Sequence, residues 1–191
     1  MKRKIVLLAL VLSVIALMVG GTHAYVTVGG TATNVITTDK VSIVLQASTV
    51  TNGETVSVTP IDGVVDFGTV MPAVKVSKIV QAANVDGAEA WVRVKVDKSI
   101  TLTNGNEGNT DLIRIDYNTS DWTLGEDGWF YCKQSLKKGA QSTPLFTEVE
   151  FAKKMGNEYK KAQASVTVKV QAVQKANNGS DVMSAQGWPR S

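Results

Sequence analysis

Histidine and cysteine are almost missing from this chain: one of each in 191 residues, alongside only four prolines. The single cysteine, Cys132, has no partner for an internal disulfide. Its setting, Trp129-Phe130-Tyr131-Cys132-Lys133, reads as a strand, so Cys132 is expected to be a small buried strand residue; the alternative is a disulfide between copies. The single histidine, His23, stands at the end of the N-terminal apolar run. If that segment is removed, the usual general base and the commonest metal ligand go with it. A zinc site of the His-Glu-x-x-His kind is then excluded. Long apolar runs are scarce too. The one present covers residues 5–19, fifteen residues with Ser13 as their only polar member. Spanning a bilayer core of ~30 Å takes about 20 such residues.

What is there begins with Lys2-Arg3-Lys4, then that short run, then Gly20-Gly21-Thr22-His23-Ala24. A positive start, a short apolar stretch and a small-x-small ending describe a secretory signal peptide. Residues 1–24 are therefore expected to be cut away between Ala24 and Tyr25, and the alternative is an uncleaved N-terminal anchor. Removal takes away three cations and no carboxylate, so the 20 Lys+Arg of the full chain fall to 17, against 17 Asp+Glu. A nucleic-acid binder needs a clustered basic surplus, which this composition does not give. A net charge near zero does not keep identical copies apart.

Residues 25–191 have the length of one domain with a real core. Period-two alternation dominates them. Val92, Val94 and Val96 alternate with Trp91, Arg93 and Lys95. Val166, Val168, Val170 and Ala172 alternate with Thr167, Lys169 and Gln171. Val41, Ile43 and Leu45 form another such face. Shorter candidate strands are residues 54–59, 76–82, 112–117, 128–133 and 145–151. Turn signals separate them: Asn52-Gly53, Asp62-Gly63, Asp86-Gly87, Asp127-Gly128 and Lys138-Gly139. Residues 101–110 read as a polar loop. Helical patterns are few, the best being residues 148–161, with 34–39 as a short turn. Many short strands with regular turns predict an all-β antiparallel sandwich of jelly-roll type, with one or two short helices in loops.

The mature start, Tyr25-Val26-Thr27-Val28, alternates and is followed by Gly29-Gly30. A short β-competent segment on a glycine hinge is able to leave its own sheet and add to a neighbour's edge, where main-chain hydrogen bonds supply affinity. Head-to-tail addition that does not close gives a filament. The competing reading is a first strand paired within its own subunit. Trp91, Trp122, Trp129, Phe130 and Tyr131 are candidates for a binding face of an adhesin or ligand-binding module, against a plainer role as cross-strand pairs. Glu107, Asp111, Asp116, Asp121, Glu126 and Asp127 lie in loop-rich sequence without calcium-loop spacing and read as solvated charge. Asn118-Thr119-Ser120 and Asn178-Gly179-Ser180 read as turns.

The leader Gly20-Gly21-Thr22-His23-Ala24-Tyr25 resembles that of Gram-positive exported proteins cut by a SipW-type signal peptidase, the TasA/camelysin family. That family's Asn-x-x-Thr-x-Gly-x-Val-x-Ile-x-Leu has its counterpart in residues 34–45. Ala90-Trp91-Val92-Arg93-Val94-Lys95-Val96, Asp127-Gly128-Trp129-Phe130-Tyr131, Thr143-Pro144-Leu145-Phe146 and residues 171–179 with Trp188 resemble its later segments. After the leader the family's Phe-Thr-Asp or Phe-Asn-Asp is replaced here by Tyr25-Val26-Thr27. The resemblance implies a jelly-roll sandwich secreted to the outside or cell surface of a Gram-positive bacterium. It implies assembly into extracellular fibres or biofilm matrix through an N-terminal strand, with a dedicated signal peptidase and other copies or related fibre subunits as partners. Contact with a membrane is expected only of the uncleaved precursor. No catalytic residue, metal or cofactor is expected. The metalloprotease label attached to camelysin finds no histidine cluster to support it.

Overall fold

Residues 27–31, 41–51, 54–60, 63–69 and 72–189 are described by a computed structural model, and their strands form two antiparallel sheets. The first contains β1 (Thr27–Thr31), β4 (Val64–Thr69), β6 (Ala90–Thr101), β8 (Trp122–Leu124), β9 (Trp129–Cys132) and β11 (Gln163–Gln174). Its order is β1-β11-β6-β9-β8, with β4 also paired to β11. The second contains β2 (Ile43–Thr51), β3 (Glu54–Pro60), β5 (Lys75–Asn84), β7 (Ile113–Ile115) and β10 (Phe146–Phe151), in the order β3-β2-β5-β10-β7. The fold is an all-β sandwich, as the alternation predicts.

The centre of the first sheet is the pair β6–β11, in register without interruption from Gln163 opposite Thr101 to Gln174 opposite Ala90. Strand side chains point alternately to opposite faces. Val92, Val94 and Ile100 of β6 and Ala164, Val166 and Val168 of β11 therefore share the inner face. There they meet Ile43, Leu45, Val80, Ala82, Phe146, Val149 and Phe151 of the second sheet in one core. Burying each large aliphatic or aromatic side chain is worth roughly 1.5–3 kcal/mol, so this face fixes the register: a one-residue slip would turn every valine outward.

Two glycines are required by geometry. Gly128 carries φ +78° in the β8–β9 turn, where Trp129 N–H donates to Asp127 Oδ1 at 3.2 Å. Gly87, after β5, lies so close to the Val41–Ser42 backbone that a Cβ would stand 2.3 Å from Ser42 N. Asn84 holds the same corner. Its amide donates to Ala88 O and Leu136 O, each at 2.9 Å, and its Oδ1 accepts from Gly87 N at 2.8 Å.

Residues 148–161 differ from the helical expectation. Their first part completes β10, and the rest holds a single 3₁₀ turn, Asn157–Tyr159. Val149 and Phe151 are buried while Glu148 and Glu150 are only partly covered, the period of two expected of the candidate strand 145–151, which overlapped the helical expectation. A second 3₁₀ turn, Thr110–Leu112, precedes β7 with Asn109 Oδ1 accepting from Asp111 N. Two strands, β4 and β8, carried no usable alternation. The expected turn at 34–39 lies outside the described residues. Among the described residues no helix is long and apolar enough to cross a membrane.

Candidate functional site

β11 is twelve residues long, and no single strand matches it along its outer edge. Two collinear strands share that edge. β4 runs from Val64 opposite Thr167 to Thr69 opposite Gln163. β1 runs from Thr27 opposite Val173 to Thr31 opposite Lys169. Between them Val168 N–H donates to Gly63 O. The position of β1 is thus a slot along residues 169–173 of β11, closed at one end by Gly63. Antiparallel pairing puts the β1 end, Thr31, against that stop. Every described strand pairing of β1 is to β11, so β1 is an edge strand whose far side is unpaired among the described strands.

The outer face of the same sheet is unusual beside this slot. Outward positions of a sandwich are ordinarily polar, and Ser99, Thr101 and Gln163 are exposed as that rule expects. Toward the other end, Trp91, Trp129, Tyr131 and Val173 occupy outward positions and are nevertheless buried. A strap formed by residues 175–189 crosses over them and places Val182, Ala185 and Trp188 in a second apolar cluster. Without the strap these side chains would form an exposed apolar patch.

Arg93 is the centre of this cluster and is 7% exposed. Its Nε and Nη2 donate to Gln171 Oε1 at 2.9 and 2.6 Å, and its Nη1 donates to Asp127 Oδ2 at 3.0 Å and Tyr131 Oη at 2.8 Å. The guanidinium lies 4.5 Å from the Trp129 ring centroid and 4.7 Å from that of Trp188. Cation–π contacts of this kind strengthen when desolvated, and a buried charge demands such full satisfaction. Burial pushes the Tyr131 phenol above its ordinary value, with its hydrogen bond to Asp127 adding to the rise.

Asn178 organises the strap. Its carbonyl accepts from Trp91 Nε1 at 3.0 Å, its amide donates to Gln186 O at 3.0 Å, and its Oδ1 accepts from Gln186 N at 2.8 Å. At the strap's start, Lys175 Nζ donates to Glu89 Oε1 at 2.9 Å and to Ser135 Oγ at 3.0 Å, and Ser135 Oγ donates to the same carboxylate oxygen at 2.5 Å. An ammonium already paired with a carboxylate is a donor and not a base, so this trio is a tie and not a nucleophile with its activator.

The sequence-predicted residues are placed as follows. The junction Ala24/Tyr25, with Val26, lies outside the described residues. Thr27, Val28, Gly29 and Gly30 belong to β1, seated in their own chain's sheet. No protein-family model, no curated protein and no solved structure matches this chain. The five aromatics considered as a binding face, Trp91, Trp122, Trp129, Phe130 and Tyr131, are all buried. They are not opposite one another across strands either: Trp129 faces Lys95, Phe130 faces Val94 and Leu124, and Tyr131 faces Arg93. Phe130 instead stacks on Tyr117 at 4.4 Å, and Tyr131 meets Trp188 edge-on at 5.7 Å. Cys132 is buried and free, and burial pushes its thiol up.

The loop carboxylates have ordinary work. Asp116 accepts from Thr147 and Glu148 backbone N–H groups, and Asp121 accepts from Asn118. Among the described residues no group of three His, Cys, Asp or Glu side chains is placed to hold a metal ion. Both Asn-x-Ser/Thr sites are turns: Asn118 Oδ1 accepts from Ser120 N and Asp121 N, and Asn178 is buried in the strap. Arg93, Gln171 and Asn178 lie in segments quoted for the family resemblance, but nothing in the sequence joined them into one site beneath a strap. The available signal was the four-residue apolar run Trp129–Cys132, because a strand with no polar face is one covered on both sides.

Proposed function

We propose that the chain is exported, is cut between Ala24 and Tyr25, and serves as a non-enzymatic structural subunit of extracellular fibres. In this reading the segment from Tyr25 to Gly30 of one copy fills the β11 slot of the next. The sandwich would be of jelly-roll type, the dedicated signal peptidase would act on the precursor, and the same or related subunits would be the partners.

The observation that carries the reading is the position of β1. It is a five-residue edge strand, paired to one neighbour, in a slot whose length and register are set by Gly63. Two of its residues, Gly29 and Gly30, cost the most backbone entropy to fix and bring no side chain to bury. The same segment from a second copy makes the same ladder in the same register, so exchange replaces each bond with its equivalent. Domain swapping of this kind costs little beyond association itself. Residues 32–40, which join β1 to Val41, are nine residues and reach at most ~30 Å at about 3.3–3.6 Å each, which is enough to pass a strand to an adjacent subunit. In this reading each subunit gives its strand to one neighbour and receives one from another, so the contact is head-to-tail and propagates; a reciprocal exchange between two copies would instead close as a dimer.

Size-exclusion chromatography and negative-stain electron microscopy of three chains test this. The chain starting at Tyr25 is expected to form filaments. The same chain with Val28→Pro, which interrupts the ladder, and a chain starting at Ala32 are expected to remain without them. Filaments from all three chains, or from none at high concentration, would overturn the reading.

A further inference from the structure

We propose that the strap formed by residues 175–189 holds the β11 slot in the shape that receives an incoming β1 segment, with Arg93, Gln171 and Trp188 as positioning residues. This rests on the fibre reading above and adds to it a control of the acceptor.

The two features share the same stretch of one strand. Register puts Val173 opposite Thr27, Gln171 opposite Gly29 and Lys169 opposite Thr31. Of these, Val173 belongs to the same apolar cluster as Val182 and Ala185 of the strap, and Gln171 accepts two guanidinium bonds from Arg93. Arg93 in turn is sandwiched under Trp188 and reaches Pro189 O at 3.4 Å. Val168 N–H turns to Gly63 and Lys175 N–H to Glu89, so along this strand Val170 and Ala172 present their backbone groups to β1, and their chain neighbours Gln171 and Val173 are fastened through outward side chains to the strap. Val166 and Thr167 further along β11 are paired to β4 on one side and β6 on the other, and need no such help. When β1 leaves its own slot, residues 169–173 keep only β6 as a strand neighbour. The strap then adds the outer-face restraint to the β6 ladder and to the inward packing of Val170 and Ala172, and a rigid edge binds an extended segment better than one that must first be ordered.

The test uses the chain starting at Tyr25, with Trp188→Ala and Trp188→Phe. Hydrogen exchange is read separately over residues 163–167 and 169–173, and filament elongation is followed by light scattering from preformed wild-type seeds. Trp188→Ala is expected to speed exchange over 169–173 by tenfold or more, to leave 163–167 unchanged, and to slow elongation by a similar factor. Trp188→Phe, which retains an aromatic face over Arg93, is expected to restore both. Unchanged exchange at 169–173, or faster exchange there with elongation at the wild-type rate, would overturn the strap's role while leaving the slot reading in place. Exchange accelerated equally over both segments would also overturn it, because that is general loosening. Failure of the wild-type chain to elongate from any seed would remove the slot reading and this inference with it.

Discussion

Arg93 is, among the described residues, the one charged side chain that the fold buries. Its counter-charge, Asp127, is 44% exposed at the side chain, so the ion pair itself contributes modestly. The cost of losing Arg93 comes from what it leaves behind: Gln171 Oε1 without its donors and two indole faces with nothing between them, while Tyr131 Oη keeps its bond to Asp127. Orphaned buried acceptors cost about 1–3 kcal/mol. Arg93→Met is therefore expected to lower unfolding stability by about 2 kcal/mol in a denaturant titration. Arg93→Lys should recover little, since an ammonium lacks the planar fork that serves Gln171 and Asp127 together. Cys132 gives a second prediction at this scale. Buried, and with its thiol pushed up by that burial, it lacks the thiolate character that reactivity needs. A thiol reagent should modify it only at the rate of unfolding in native buffer, and at once in denaturant. Rapid native labelling would place it at the surface.

At the scale of elements, the strands that were legible in the sequence are those with one covered face and one wet one. β11 reads Val166, Val168, Val170 inward against Thr167, Lys169, Gln171 outward, and the structure follows it residue by residue. Where both faces are covered the burial loses its period, as over Ala90–Val94 and Trp129–Cys132; Val92 and Val94 still alternate with Trp91 and Arg93 in the sequence, so strand type remains readable while the second cover does not. β4 was illegible because Val64-Val65 and Gly68 break the period; its place is set by the length of the β11 edge left over. Over residues 145–161 the sequence offered both a strand, 145–151, and a helix, 148–161; the strand wins because Phe146, Val149 and Phe151 go to the core. The strap has no regular element at all and is held by side-chain bonds, which alternation cannot register.

Those bonds make the strap sensitive to acid. Hydrogen bonds from Ser135 and Lys175 hold the Glu89 carboxyl below its ordinary value of 4.5. Backbone and side-chain bonds from Ser184, with Met183 N–H, hold Asp181 below 3.8. A carboxyl depressed in the folded state contributes stability that is complete above its unfolded value and is lost as pH falls through the depressed one. The strap should therefore stay docked above about pH 4.5 and loosen below the ordinary carboxylate range. Tryptophan emission should redshift there as Trp188 becomes wet, before the far-ultraviolet strand signal is lost. With Glu89→Gln the acid transition should flatten. Simultaneous loss of both signals would show that the strap has no separate transition.

For the whole molecule, the sandwich leaves the edge of β11 divided between β4, which follows from β3 in the same sandwich, and β1, which hangs on a nine-residue connection. In the proposed assembly that asymmetry is what matters: β4 covers one half of the edge, and β1, the segment proposed to be exchanged between copies, covers the other. The strand character of residues 27–28 was legible in the sequence, but the slot was not. It depends on a register between residues 27–31 and 169–173 that only the folded chain brings together. Disulfide trapping tests the claim most directly. Thr31→Cys in one chain and Lys169→Cys in another place the new thiols at partner positions in the ladder, while buried Cys132 stays silent. Mixed, allowed to assemble and mildly oxidised, the two singly substituted chains should yield a covalent dimer that neither yields alone. If the mixture gives no dimer, and only a chain carrying both substitutions closes a disulfide within itself, then β1 stays in its own subunit and the account is contradicted.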